Sequence, residues 1–417
     1  MLSDILGEAW NSLRRQPTRS LLTMLGVVWG IVAVTILIAY GQGFRSVLIH
    51  GFDAFGKSVV VCWPGQTSQQ VGGQRAGKPV RFEREDLDWV RARATLVKSA
   101  CLETVRWLPI AYGNRMAQTA IRGVCPQYAE MRSEIPSQGR WINPADMAER
   151  RRVVFLGAQL RHKLFAGRPA VGTTVLISGV RFTVIGTMHR KIQLSNYFTS
   201  DDESAWIPFT AASDLWDTRY ASVLLFEPIA PRFEAKARAQ VLAIIAARQR
   251  FSPTDTKAIM MWGREQFRPI IDGITIGLEA LLAFVGALTL GIGGVGVMNI
   301  MLVSVNERTR EIGLRRALGA RRWHVQAQFI SEALALTLAG GAIGIILSYL
   351  LTAIAPTIPL LGPLYHDNSG QGDIHLRISL ATLLLSTLIL MLVGLLSGLA
   401  PALRAARLDP VEALRYE

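Results

Sequence analysis

Hydrophobic positions along this chain follow two regimes. Four stretches run for about twenty residues or more with almost no charge, while a long segment between the first and second alternates apolar and polar positions at strand and helix periods. Residues 20–44 carry no charged side chain, and about 20 apolar residues cross the roughly 30 Å of bilayer hydrocarbon as a helix. Spans are predicted at 20–42, 273–304, 328–353 and 378–403. The first apolar run exceeds the ~7–15 residues of a cleaved signal, so it reads as an anchor.

The intervening segment, 43–272, reads as a mixed α+β domain inserted between spans one and two. Strands are predicted at 58–62, 105–110, 153–156, 174–177, 182–185 and 257–261, with Gly179 turning a hairpin between the fourth and fifth. Helices are predicted at 84–94, behind a first turn rich in Glu and Asp, and at 233–248. A strand-helix-strand opening and a matching close suggest a two-part subdomain, about 43–110 with 216–272, carrying a β-rich insertion at about 111–215.

Composition adds sidedness. An apolar share of 50% with 18% charged is high for 417 residues. Arg14, Arg15 and Arg19 precede span one, six arginines lie between spans two and three, and Arg404, Arg407 and Arg415 follow span four, whereas the loop at 354–377 adds only Arg377. The positive-inside rule puts both termini (1–19 and 404–417) and the loop 305–327 in the cytoplasm, and 43–272 outside it. The net charge of +14 does not signal nucleic acid, because the 32 Lys and Arg against 20 Asp and Glu of residues 43–272 are scattered and accompany no nucleic-acid-binding motif. A solvated or lipid-facing surface accounts for them.

Catalysis finds no foothold. His50, His162 and His189 are separated, and neither Gly-x-Ser-x-Gly nor His-Glu-x-x-His occurs. Gly72, Gly77 and Lys78 fit a phosphate-loop spacing, but Pro79 stands where a magnesium-binding hydroxyl is needed. Asp201, Asp202 and Glu203 form an acidic cluster expected to be solvated rather than to hold a cation. Cys62, Cys101 and Cys125 allow at most one disulfide, with buried free thiols as the default for the rest. No cofactor or metal site is expected on the chain.

Small residues recur at close-packing spacing: Ala283, Ala287 and Gly291 on span two, and Gly340, Gly344 and Ser348 on span three, which suggests helix packing within the chain or across a dimer. Between these spans, Glu307, Arg308, Thr309, Arg310, Glu311, Ile312, Gly313, Leu314, Arg315 and Arg316 predict a short amphipathic helix. Glu311 precedes Arg315 by four residues, a stabilising order. Leu314 and Leu318 share a face. Four spans without a mid-membrane charge do not enclose a solute path, so energy or substrate handling falls to an oligomer, to the large domain or to a partner.

Residues 294–305 (GVGVMNIMLVSV), running into that helix, closely resemble the MacB/FtsX-like permeases of ABC transporters. Residues 397–402 (SGLAPA) and 406–417 resemble the C-terminal signature of that family, and 139–141, 170–173 and 202–208 its more variable β-rich domain. The resemblance implies a homodimeric or paired permease of the bacterial inner membrane that transmits ATP-driven motion to its exported domain for efflux. It makes Glu307–Arg316 the element that docks on a cytoplasmic ABC ATPase, beside an amphipathic N-terminal segment containing Trp10. ATP and Mg would sit on that ATPase. With no credible P-loop, this chain is expected to rely on a separate ATPase subunit. A periplasmic adaptor of the membrane-fusion type, a TolC-like outer-membrane channel and membrane lipid are further implied partners. The alternative within the family is an FtsX-like regulator of an extracytoplasmic wall hydrolase that transports nothing.

Overall fold

The computed structural model describes residues 17–53, 56, 59–71, 75–194, 196–365, 370 and 372–414. Trp10, Gly72 and the last residues of the tail, 415–417, lie outside them. The chain divides into two compact units, Met1–Val47 with Gly273–Glu417, and Leu48–Asp272.

In chain order the first elements are α1 (Pro17–Asp53), β1 (Val60–Pro64), α2 (Arg84–Arg93), β2 (Val97–Tyr112), β3 (Arg115–Val124), α3 (Tyr128–Arg132) and β4 (Pro136–Gly139). There follow α4 (Pro144–Ala148), β5 (Val153–Leu156), α5 (Ala158–Phe165), β6 (Thr174–Ile177), β7 (Val180–Met188), β8 (Ala205–Pro208), α6 (Phe209–Ala212), β9 (Val223–Pro228), α7 (Glu234–Gln249) and β10 (Ile259–Trp262). The chain then forms α8 (Arg264–Glu307), α9 (Thr309–Ala317), α10 (Arg322–Ile354), the short α11 (Gly362–Tyr365), α12 (Leu380–Arg407) and α13 (Pro410–Leu414).

In the Leu48–Asp272 unit the strands hydrogen-bond in the order β10-β1-β9-β2-β3-β8-β5-β7-β4. The first four, with α2 and α7, make a βαβ pair in the interleaved order of a ferredoxin-like fold. β2 belongs to both halves of the sheet: Val97–Glu103 pair with β9, and Thr104–Tyr112 pair with β3. One long strand thereby carries the β-rich part, β3 to β8.

Both faces of the first half are covered, which explains its unbroken apolar strands. Val60 and Cys62 face a core with Leu87, Val90, Val241 and Ile245 of the two helices. Their neighbour Val61 faces the opposite core, with Cys101, Tyr128, Phe155 and Trp206. α2 begins with a capping box between Glu83 and Asp86. The predicted hairpin forms with Ile177 opposite Val180 across Ser178 and Gly179, both at positive φ. Cys101 and Cys125 form a disulfide, and Cys62 is a buried free thiol whose burial raises its pKa.

The other unit holds four helices long and apolar enough to cross a membrane: α1, α8, α10 and α12. They meet where side chains are smallest. A Cβ on Gly293 of α8 would lie 2.9 Å from the Gly26 carbonyl oxygen of α1, and one on Gly398 of α12 would lie 2.7 Å from Ala333 Cβ of α10. Hydrocarbon solvates a helix as well as another helix does, so close backbone approach is what holds such a bundle together. A hydroxyl pair, Thr35 Oγ1 donating to Ser386 Oγ at 3.4 Å, adds one buried polar link between α1 and α12.

Candidate functional site

At the end of α8 the backbone leaves the helix at Arg308 (φ −101°, ψ 17°) and restarts as α9. Thr309 secures the corner, its Oγ1 donating to the Val305 carbonyl at 3.1 Å and the Asn306 carbonyl at 2.8 Å. Arg308 Nη1 reaches Glu332 Oε2 of α10 at 3.3 Å. Ile312 enters the bundle core with Val305, Val325, Phe329 and Ala405.

The far side of α9 is closed by the C-terminal turn. A Cβ on Gly313 would lie 2.6 Å from Ala413 Cβ, so only glycine lets α13 seat there. Arg316 Nη1 donates to the Ala406 carbonyl at 3.1 Å and to the Leu408 carbonyl, pairing a guanidinium with the negative end of α12. α9 is therefore a fixed bracket, gripped by α8, α10 and the α12–α13 turn.

The segment expected to dock thus divides in two. Thr309, Ile312 and Gly313 are buried, and Arg308 and Arg316 are committed to Glu332 and to backbone carbonyls. Glu307, Arg310, Glu311 and Arg315 are exposed. Arg315 Nη2 donates to Glu311 Oε1 at 2.7 Å, and its Nη1 to Gln328 Oε1 at 2.7 Å. Leu314 and Leu318 share the outer face, Leu318 being 81% exposed, and Trp323 at the start of α10 is 55% exposed. The exposed face of α9 thus carries alternating charge with two leucines. Trp323 and α13 were not anticipated. Asp409 followed by Pro410 was the available signal: the Asp409 carboxylate accepts from Val411 N at 2.8 Å, and proline opens the helix.

The two small-residue rows have different fates. Gly340 and Gly344 face α1, where added Cβ atoms would lie 3.1 Å from Val27 Cγ1 and 2.9 Å from Ile31 Cγ2, and Ser348 is buried, its Oγ donating to the Gly344 carbonyl. Ala283, Ala287 and Gly291 are exposed, and a Cβ on Gly291 would meet nothing within 4 Å.

A second concentration of chemistry occupies the interior of the Leu48–Asp272 unit and corrects the expectation of a solvated acidic cluster. Asp201 and Asp202 are buried. Asp201 lies 3.0 Å from both Arg132 Nη2 and Lys191 Nζ, and 3.7 Å from Arg122 Nη2. Arg122 also reaches Glu103 Oε1 at 3.3 Å, and Tyr197 donates to the same carboxylate. Burial raises the Asp201 pKa, but Arg132, Lys191 and Arg122 outweigh it and hold the carboxyl below its usual range. Burial and then the Asp201 charge push Glu134 up to about 8, and burial pushes Asp202 up to about 6. These carboxylates were read as solvated because Asp-Asp-Glu is a loop composition; the basic residues that bury two of them, Arg122, Arg132 and Lys191, lie at distant or unremarkable positions in sequence.

Residues 20–246 match the family described as MacB-like periplasmic core domain, and 283–410 match the FtsX-like permease C-terminal family. A macrolide export ATP-binding/permease protein MacB from Chlorobium luteolum is 32% identical over 98% of this chain and 60% of its own length. Its counterpart from Pasteurella multocida is 31% identical over 96% of this chain and 58% of its own. The chain thus spans about 60% of the length of these curated relatives. The crystal structure of the periplasmic region of MacB from Actinobacillus actinomycetemcomitans aligns with 52% of this chain and 94% of that one, at 14% identity and a TM-score of 0.41.

Proposed function

This chain belongs to the MacB/FtsX-like permease family, and from that premise we propose that it converts ATP hydrolysis on a cytoplasmic ABC ATPase into movement of its Leu48–Asp272 domain, driving efflux. The observation that carries the reading is the α9 platform: an exposed charged and apolar surface whose buried half is locked to α8, α10, α12 and α13. A force applied to such a bracket passes to the spans rather than being absorbed by a loose loop.

We assign the ATPase, with its ATP and Mg, to a partner subunit and no catalysis to this chain. A cytoplasmic side for α9 and both termini is supported by the arginines flanking the spans. The Cys101–Cys125 disulfide supports an exported, oxidising location for the other unit. The open row of Ala283, Ala287 and Gly291 supports pairing with a second permease copy. An adaptor and a TolC-like channel complete the proposed assembly. The relatives are named for macrolide export, which makes macrolides the cargo to try first.

The test exchanges the charges, Glu311→Arg with Arg315→Glu. The exchange keeps an ion pair inside α9 but inverts the surface offered to the ATPase. Stimulation of the cognate ATPase in reconstituted vesicles should fall by roughly tenfold or more, the scale of misplacing two interfacial charges, while the melting temperature holds. Undiminished stimulation refutes docking at this surface.

A further inference from the structure

Between β7 and β8 the chain runs as a strap outside the named helices and strands, described at 189–194 and 196–200. The buried network holds its inner side. Arg122 Nη2 donates to the Tyr197 carbonyl at 3.0 Å and to the Thr199 carbonyl at 2.8 Å. The Tyr197 hydroxyl lies 2.9 Å from that of Tyr128 and donates to Glu103. Lys191 Nζ donates to the Arg132 carbonyl at 2.6 Å and to Asp201 Oδ2 at 3.0 Å, and Gln193 Oε1 accepts from Asp201 N at 3.2 Å. Phe198, between the two carbonyls that Arg122 grips, has φ 65°, a backbone region that a bulky side chain occupies only under restraint. The shape of the strap is imposed by the network rather than by its own sequence.

The last turn of α1 belongs to the same unit, which begins at Leu48. Carbonyls there have no partner further along the helix, and Leu194 N donates to that of Gly51 at 3.1 Å. The contact is close: a Cβ on Gly51 would lie 2.6 Å from Leu194 Cδ1 and 2.7 Å from its Cγ. Beyond α1 the chain passes α3 at Gly56 (φ 130°), where a Cβ would strike the Met131 carbonyl, one residue before Arg132. A ladder of rings makes a second line of contact. Phe52 of α1 meets Phe267 of α8 at 5.5 Å between centroids, Phe267 meets Trp262 at 5.7 Å, Trp262 meets Trp63 at 6.2 Å, and Trp63 meets Tyr197 edge-on at 5.8 Å. Both lines end on the strap.

We propose that the strap ties the last turn of α1 to the buried network, so that a displacement of that turn is carried to Glu103 of β2 and Arg122 of β3, and a change in the network is felt at α1. Tyr197 is the positioning residue, because its ring ends the ladder and its hydroxyl and carbonyl reach the two strands. Buried hydrogen bonds to charged groups are costly to break singly. A shift at Leu194 is therefore shared along the strap instead of being absorbed in it. The proposal concerns the Leu48–Asp272 unit alone and takes nothing from ATPase coupling, so each can fail without the other.

The test uses the full chain in nanodiscs, without ATPase or nucleotide, with amide hydrogen exchange read by mass spectrometry at residue resolution. The Leu194 amide reports the α1 end directly. Tyr197→Phe keeps the ring on Trp63 but removes the hydroxyl from Glu103 and Tyr128. It should speed exchange at Leu194 by roughly tenfold or more, the scale of one buried hydrogen bond to a charged group. In the other direction, Gly51→Ala should speed exchange by a similar factor at Lys191 and Asp201, whose amides donate to Asp202 and Gln193. Val241→Ala, in the core that α7 shares with the sheet, is the control for general loosening. Thermal melting identifies any variant that does not fold, and Gly51→Ala decides alone if Tyr197→Phe is one. A Tyr197→Phe effect at Leu194 no larger than that of Val241→Ala, or unchanged exchange at Lys191 and Asp201 in Gly51→Ala, overturns the proposal.

Discussion

The two units solve the problem of a unique interior by opposite means. The interior of Leu48–Asp272 contains Glu103, Arg122, Arg132 and Asp201, all fully inaccessible. In the helical unit the described charged pair nearest the interior is Arg308 with Glu332, at the edge of the bundle, and the rest of the packing is glycine, alanine, larger apolar side chains including Phe329, and a few hydroxyls. The difference follows from the solvent. A water-soluble unit draws on the hydrophobic effect and can carry buried ion pairs, whose strict geometry admits few alternative packings. Helices in lipid have no such drive, and they gain stability from backbone contact that only small residues allow.

Breaking the first kind of interior should cost most. Arg122→Met leaves Glu103 without its cation, deprives Asp201 of one, and removes donors to the Tyr197 and Thr199 carbonyls. A loss of about 3–5 kcal/mol is expected, read as a lowered melting temperature. Adding Glu103→Gln should recover part of it. A shift below about 1 kcal/mol would show that the network relaxes to water and does not define the core.

The second kind of interior should break more gently and only on its packed side. Gly344→Leu drives a side chain into Ile31 and the Val28 carbonyl of α1, an overpacking worth about 1–3 kcal/mol. The same change at Gly291, where nothing lies within 4 Å, should leave the melting temperature of the isolated chain unchanged. Equal losses at both positions would mean that the two rows do not differ as the bundle shows.

That contrast also sets what could be read in advance. Spans are legible because lipid demands long uncharged runs, and the four helices fall where such runs do, with α8 extending from Arg264 rather than 273. α2 carried its capping box and periodicity in local sequence, and α7 its periodicity. Four strands of the Leu48–Asp272 unit lie outside those expected: β3, β8 and β9, whose residues are buried by partners far along the chain, and β4, an exposed edge strand of Pro, Ser, Gln and Gly; β2, expected at 105–110, runs 97–112. On α9 the Glu311–Arg315 pair was visible as an i, i+4 spacing. The inward commitments of Arg308 and Arg316 were not, because an arginine's partner in another helix leaves no mark in its neighbours.

The smallest predicted effect separates the two interiors by pH. Folding carries Glu134 from the ordinary 4.5 up to about 8, and Asp202 from 3.8 up to about 6. Between those values the unfolded chain has released protons that the folded chain keeps. The folded state binds more protons, so stability falls as pH rises from about 4.5 to 8. Asp201 shifts the other way, and its contribution, present above 3.8, is lost only in more acidic solution. Within pH 5–8 it does not offset the decline. Lys191 and Arg132 temper the rise that burial and the Asp201 charge impose on Glu134 without cancelling it, so a net loss of stability is expected across that window. It is measured as a melting temperature lower at pH 8 than at pH 5. Glu134→Gln should remove most of the slope, whereas Gly344→Leu should lower the curve without changing it. A slope that survives Glu134→Gln would assign the proton to another group and end the claim that this buried cluster, rather than the bundle, senses pH.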